Sequence, residues 1–187
     1  MVGQQSSWIS LPLDERDIFV SIVGKPWYAV QSMYEYQMVG QKSLRLTELI
    51  IRSDKIVGVD SVEAYVPEDR EETSRIAIRL LGSSVLTKPD VLSQSLSGSR
   101  SPLHSLGLLP GPRKVQLVWR REEYSLGKED NYAARFVVVP DGILIFGDGG
   151  QLLVRQDDDL PSWLRLDWDD DVIGQIVNDA EKVDDLA

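Results

Sequence analysis

From Val115 to Val154 the chain repeats one pattern, a short run of β-branched, aliphatic or aromatic residues followed by a cluster of turn formers. The runs cover 115–119, 133–139, 143–146 and 152–154. They are too short for helices, and their residue types suit a half-buried pleated surface. Two of the separators have a turn mechanism. Pro140-Asp141-Gly142 offers a proline for the first corner and a glycine for the left-handed one, and Gly147-Asp148-Gly149-Gly150 repeats the chemistry. The second half is therefore predicted to be an antiparallel meander with a hairpin at each separator.

The first half is more mixed. Residues 17–23 read as a strand with Ile18, Val20 and Ile22 on one face, closed by Gly24-Lys25-Pro26. Residues 27–39 continue extended, with a helix over 31–38 as the competitor. Over 43–53 the spacing of Leu46, Leu49 and Ile50, with Ser43 as N-cap, predicts a helix, while the alternation of Leu44 and Leu46 keeps a strand open. Residues 57–66 are extended up to Pro67, the charged run 68–72 is a solvated connection, and 75–81 alternates as a strand. Near the end, Val172, Ile173, Ile176, Val177, Ala180 and Val183 form a helical stripe over 168–183, with Asp169, Asp170 and Asp171 in its first turn. The expected fold class is α+β: a largely antiparallel β-sheet with one internal helix and a C-terminal helix. The expected division is a polar N-terminal segment 1–16, a single domain 17–183 containing a mobile loop 83–112, and an acidic tail 184–187 that frays.

The chemical inventory is sparse. There is no cysteine, and the one histidine, His104, falls in a Ser/Pro-rich stretch. No nucleophile elbow, phosphate loop or dinucleotide fingerprint is present, so no catalytic residue, cofactor or metal site is assigned and the chain is read as non-enzymatic. Asp167, Asp169, Asp170 and Asp171 could take a hard cation, but they lack the ligand spacing of a calcium loop and are read as helix-stabilising. Most of the net charge of −10 comes from residues 157–187. Arg113, Lys114, Arg120 and Arg121 form a basic cluster, but Glu122 and Glu123 follow at once and no aromatic platform is interleaved, so direct nucleic-acid binding is not expected. Residues 1–10 do not resemble a signal peptide and no window reaches the ~20 apolar residues of a spanning helix, which predicts a soluble, cytoplasmic protein.

The stretch 83–112 is crowded with serine, glycine and proline, and a short helical turn is expected near 90–94. Unlike a plain linker it carries Val91, Leu92, Leu96, Leu103, Leu106, Leu108 and Leu109. These residues predict a docking segment for a second copy of the chain or for another protein, with Trp163 and Trp168 as a receptor surface. The leading expectation is thus a structural or assembly protein that self-associates. The alternatives are a soluble accessory or chaperone-like factor that binds a partner through its acidic C-terminal region, and a β-rich small-ligand binder lined by Trp27, Tyr34, Tyr36 and Phe136.

Ser43-Leu44-Arg45-Leu46 through Ile51-Arg52-Ser53, the strand 76–84 and the order of elements over 17–183 resemble the matrix proteins of rhabdoviruses. That resemblance implies self-association through 88–109, virion association and membrane contact. The family's basic N-terminal arm has no counterpart, since Arg16 is the only basic residue in 1–16, and no Pro-Pro-x-Tyr motif is present.

Overall fold

A computed structural model describes residues 6–32, 36–40, 42–66, 72–82, 94–95, 102–124, 135–160 and 162–186. In chain order the elements are β1 (Ser6–Trp8), α1 (Leu13–Val20), β2 (Ala29–Ser32), β3 (Tyr36–Gly40), β4 (Ser43–Leu46), β5 (Glu48–Arg52), β6 (Ile56–Tyr65), β7 (Glu72–Leu80) and β8 (Gln94–Ser95). The second half holds α2 (Pro102–Ser105), β9 (Lys114–Tyr124), β10 (Arg135–Phe146), β11 (Gln151–Gln156), β12 (Leu164–Asp167), α3 (Asp170–Asp179) and β13 (Lys182–Asp185). Among the described residues these strands form two sheets. One has eight strands in the order β13-β9-β10-β11-β12-β4-β3, with β1 added in parallel to β10, and the other has five in the order β7-β6-β5-β2-β8. The fold is α+β and mainly antiparallel β. Among the described residues no helix is long and apolar enough to cross a membrane.

The core lies between the two sheets. Val57, Val59, Ile76 and Ile78 from one sheet join Leu44, Leu46, Val115, Ile143, Ile145 and Val154 from the other. Each residue belongs to a face set by the two-residue strand period. A smaller cluster lies on the outer side of the large sheet, where α3 packs Ile173 against Val118, Leu144 and Leu153.

Several expectations are corrected. The predicted helix over 43–53 is the strand pair β4 and β5, because the chain leaves one sheet and enters the other at Thr47. That crossing breaks the two-residue alternation and leaves Leu46, Leu49 and Ile50 at a spacing that imitates a helix. The predicted strand over 17–23 is the end of α1 and the turn after it, in which Phe19 and Ile22 are both fully buried. Pro12 precedes this helix, and Asp14 and Glu15 occupy its first turn, where carboxylates meet free N–H groups. Within the expected polar N-terminal segment 1–16, the described residues join the fold: Ser6, Ser7 and Trp8 pair with Phe136, Val137 and Val138, and the Trp8 ring meets Trp119 edge-on at 5.6 Å. Nor do the described residues of the acidic end, 184–186, fray. Residues 182–185 form β13 against β9, Leu186 donates its N–H to the Val115 carbonyl at 2.8 Å, and α3 ends before them. The connection 68–71 and the helical turn expected at 90–93 lie outside the described residues, and Gln94 begins β8.

The largest topological correction concerns Pro140-Asp141-Gly142, which is not a hairpin. β10 runs straight through it, and the register with β9 shifts between Pro140 and Gly142, leaving Asp141 as the extra residue of a β-bulge. A bulge tolerates proline because the hydrogen-bond ladder is already interrupted there. The second separator, 147–150, is the hairpin between β10 and β11 as predicted.

The long edge of β7 is covered rather than open. Glu15 of α1 accepts from both terminal nitrogens of Arg75, at 2.9 and 2.8 Å, and its Oε2 also accepts from the Ile78 N–H at 2.9 Å. A carboxylate that blocks an edge N–H removes a template for strand addition. Glu15→Ala is expected to destabilise the fold by about 1–3 kcal/mol and to promote association through β7. Urea denaturation and light scattering check both, and a monomeric variant of unchanged midpoint would show that the contact is dispensable.

Candidate binding site

The bulge places a carboxylate where a strand would place an apolar residue. Asp141 is 4% exposed and its nearest cation is Arg120, whose Nε lies 3.2 Å from Asp141 Oδ1 without forming a hydrogen bond. Burial pushes the Asp141 carboxyl up to about 6; Arg120 and Arg155 pull against that, while Asp158 and Glu122 add to it. Gln156, beside the bulge on β11, is fully buried and its Nε2 also makes no hydrogen bond.

From there an ionic seam crosses the large sheet. Arg120 pairs with Glu122 at 2.5 Å and with Asp158 at 3.2 Å, and donates to Gln156 Oε1 at 2.9 Å. Arg155 holds Asp158 at 2.7 Å and Asp167 at 3.2 Å, while Arg165 takes the other oxygen of Asp167 at 3.1 Å. At the far end Arg45 pairs with Asp157 at 2.5 Å and with Asp159. Burial alone would raise Asp157, yet the Arg45 hydrogen bond and the backbone N–H groups of Asp159 and Leu160 hold it below the usual carboxylate range. Two carboxylates of the seam, Asp141 and Asp157, are thus shifted in opposite directions by their surroundings.

Two depressions flank the seam. An open mouth between the sheets, about 540 Å³, is lined by Ser61, Glu63, Glu72, Ser74, Glu122 and Ser162 together with Val62 and Thr73. Its origin lies in the β6–β7 pair: the face that carries Val57, Val59, Ile76 and Ile78 into the core continues outward as Ser61, Glu63, Ser74 and Glu72. Apolar periodicity gives way to hydroxyls and carboxylates where the sandwich opens. Thr73 donates to Glu122 at 2.6 Å and Ser74 to Gln156 at 3.0 Å, tying the mouth to the seam. Among the described residues, none that lines the mouth is basic. The second depression, about 190 Å³, lies between α3 and the large sheet. Val118, Trp119, Arg120, Asp141, Arg155 and Asp158 form its floor, and Ile176, Asp179 and Ala180 its helix wall.

The sequence-predicted docking residues are placed elsewhere. Val91, Leu92 and Leu96 lie outside the described residues. Leu103, Leu106 and Leu108 are core residues, not a docking surface, and Leu109 packs against the same core. Trp163 and Trp168 are half-buried, and Trp168 packs on the core. They form no exposed aromatic receptor. His104 is exposed on α2.

The four aspartates considered for a cation also diverge. Asp167 is buried between two arginines, and Asp169 caps α3 by accepting from the Asp171 N–H at 3.1 Å. Among the described residues no three acidic or histidine side chains are grouped to hold a metal ion. Of the four residues expected to line a ligand pocket, two are described in full. Trp27 is buried and donates to the Ile22 carbonyl at 3.1 Å, Phe136 carries the Arg121 guanidinium 3.8 Å from its ring centroid, and Tyr34 and the Tyr36 side chain lie outside the described residues. The basic cluster is matched by acids, with Arg113 on Asp148, Lys114 on Asp185 and Arg121 near Glu181.

Sequence reasoning missed Arg120, Asp141, Arg155 and Gln156 as one group. The available signal was a Pro-Asp-Gly embedded in an apolar strand and a pair of arginines at the end of another, but turn chemistry explained the first and solvation the second. No family model, no curated protein and no solved structure matches this chain.

Proposed function

We propose that this chain is a non-enzymatic binding protein that takes a basic segment of a partner protein along its acidic mouth. The observation that carries the reading is the composition of that mouth: among the described residues, three glutamates and four hydroxyl residues line an opening of about 540 Å³, with no basic residue among them. Glu122 is already paired with Arg120, whereas Glu63 and Glu72 have no cation against them among the described residues. Carboxylates crowded in a groove repel one another, and lysine or arginine side chains entering it relieve that repulsion. Ser61, Ser74 and Ser162 supply shorter polar contacts to a peptide backbone.

The test is fluorescence anisotropy with a labelled Lys/Arg-rich peptide at several salt concentrations. Binding is expected to weaken as salt rises, and Glu63→Gln with Glu72→Gln is expected to weaken it by about 5- to 30-fold, the weight of two exposed ion pairs. Salt-independent binding, or a double variant that binds as the parent does, would overturn the reading.

A further inference from the structure

We infer that the cavity between α3 and the bulge of β10 is a binding site for an alkylammonium group, held by Asp141 at its floor and by Asp158 and Asp179 at its rim. The cavity is walled on one side by Val118, Ile176 and Ala180, and on the other by Arg120, Asp141, Arg155 and Asp158. Its volume, about 190 Å³, admits a short amine chain and little more.

Three observations select a cation. Asp141 is 4% exposed and lines the cavity, and its Oδ1, although ion-paired with Arg120 Nε at 3.2 Å, accepts no hydrogen bond, which is rare for a buried acceptor. The two arginines in the wall are already committed, Arg120 to Glu122 and Asp158 as well as Asp141, and Arg155 to Asp158 and Asp167. Counting the groups that face Asp141 from every packed element leaves carboxylates in excess: Arg120 and Glu122 from β9, Arg155 from β11, Asp158 from the connection after β11, and Asp179 from α3. An ammonium donates up to three hydrogen bonds and brings one positive charge, matching both a carboxyl that accepts no hydrogen bond and the excess of carboxylates. The apolar wall suits its methylene stem, as side chains with a charged head commonly bury theirs.

The raised proton affinity of Asp141 supplies an independent readout. Near pH 6 about half of the Asp141 carboxyls carry a proton, so a cation that binds the ionised form must expel about half a proton per site. By pH 8 the carboxyl is already ionised and the release disappears.

The inference does not rest on the acidic mouth, and the two fail separately, because Glu63→Gln with Glu72→Gln removes two carboxylates from the mouth alone and Asp141→Asn removes one from the cavity alone. The experiment is a 1H–15N titration of the full chain with n-butylammonium, with Nα-acetyl-lysine N-methylamide, and with n-butanol as the neutral isostere. Calorimetry at pH 6 and pH 8, in buffers of different ionisation enthalpy, accompanies it. Saturable shifts at Val118, Trp119, Ile176 and Ala180 with an amine but not with butanol, and proton release at pH 6 alone, are the expected result. Butylammonium without the lysine amide would identify a free amine as the ligand; both amines together would identify a partner's lysine side chain. Asp141→Asn is expected to weaken binding about tenfold or more, the loss of one charge-assisted hydrogen bond. Ala180→Leu, which fills the cavity from the helix side without altering charge, is expected to do the same and covers the case in which the first variant does not fold. No saturable shift with either amine, equal response to butanol, or undiminished binding by a folded variant would overturn the assignment.

Discussion

Leu108→Ala is expected to lower the stability of the fold by about 2–5 kcal/mol, the range for removing a fully buried leucine from a core that relaxes only in part. Leu108 is 0% exposed, and the segment around it is locked on several sides. Its N–H donates to the Leu103 carbonyl and its carbonyl accepts from the Gly111 N–H, both at 3.1 Å. The Leu106 carbonyl accepts from Gly149 N–H at 2.9 Å, which clamps the segment to the β10–β11 hairpin turn. Glycine is required on both sides of that clamp. Gly107 adopts φ +67°, and a Cβ on Gly149 would run into the Ser105 carbonyl. Urea denaturation at 25 °C measures the loss. A change within ±0.5 kcal/mol, the usual result at an exposed position, would restore Leu108 to the docking surface that sequence reasoning assigned it.

Asp141→Asn is expected to reverse the usual effect of removing a buried charge partner, with the gain building up as pH rises from about 4 through 6. Asp141 has a higher proton affinity folded, at about 6, than the 3.8 of an unperturbed aspartate. The folded state therefore binds more protons between those values, and the stability contributed by the protonated carboxyl is full below about 4 and lost as pH rises through 6. A shift of that size corresponds to about 3 kcal/mol. Asparagine, neutral at every pH, escapes the loss. Its stability relative to the parent is expected to rise by about 2–3 kcal/mol between pH 4 and pH 7.5, read from urea midpoints at each pH. Arg120 keeps Glu122 and Asp158 as partners in the variant, which limits the cost of losing the third. A pH-independent difference between the two chains would mean that Arg120 holds Asp141 ionised throughout. Asp157 titrates with the opposite sign: its contribution is present above the unfolded carboxylate value and is lost as acid protonates it.

The amine site and the pH effect share one origin. A carboxylate retained in the bulge of a core strand destabilises the folded protein at neutral pH, and a bound cation would offset that cost. Binding sites commonly hold such locally unfavourable arrangements.

Residue order alone was enough for the strands of 57–66 and 75–80, for the core of β9, β10 and β11, for the turn at 147–150 and for the Ile173, Ile176 and Val177 face of α3, though not for Val172, which is exposed, or Val183, which lies in β13. In each, local period and turn chemistry agree with the face the element finally buries, so no distant contact was needed to choose between alternatives. Where distant contacts chose, reading residue by residue failed. Residues 43–52 became strands because the chain changes sheets at Thr47. Residues 182–185 joined β9 although their charge suggests solvent, because Leu186 finds a buried place beside Val115 and Lys114 neutralises Asp185. Pro140-Asp141-Gly142 has the composition of a turn, and it stays in the strand because β9 pairs on both sides of it and two arginines, 21 and 14 residues distant, reach Asp141 from neighbouring strands. Local sequence sets the period of an element and the places where a chain can bend. Whether it bends, and which charges meet there, depends on long-range pairing, whose free energy outweighs the small preference of a turn tripeptide.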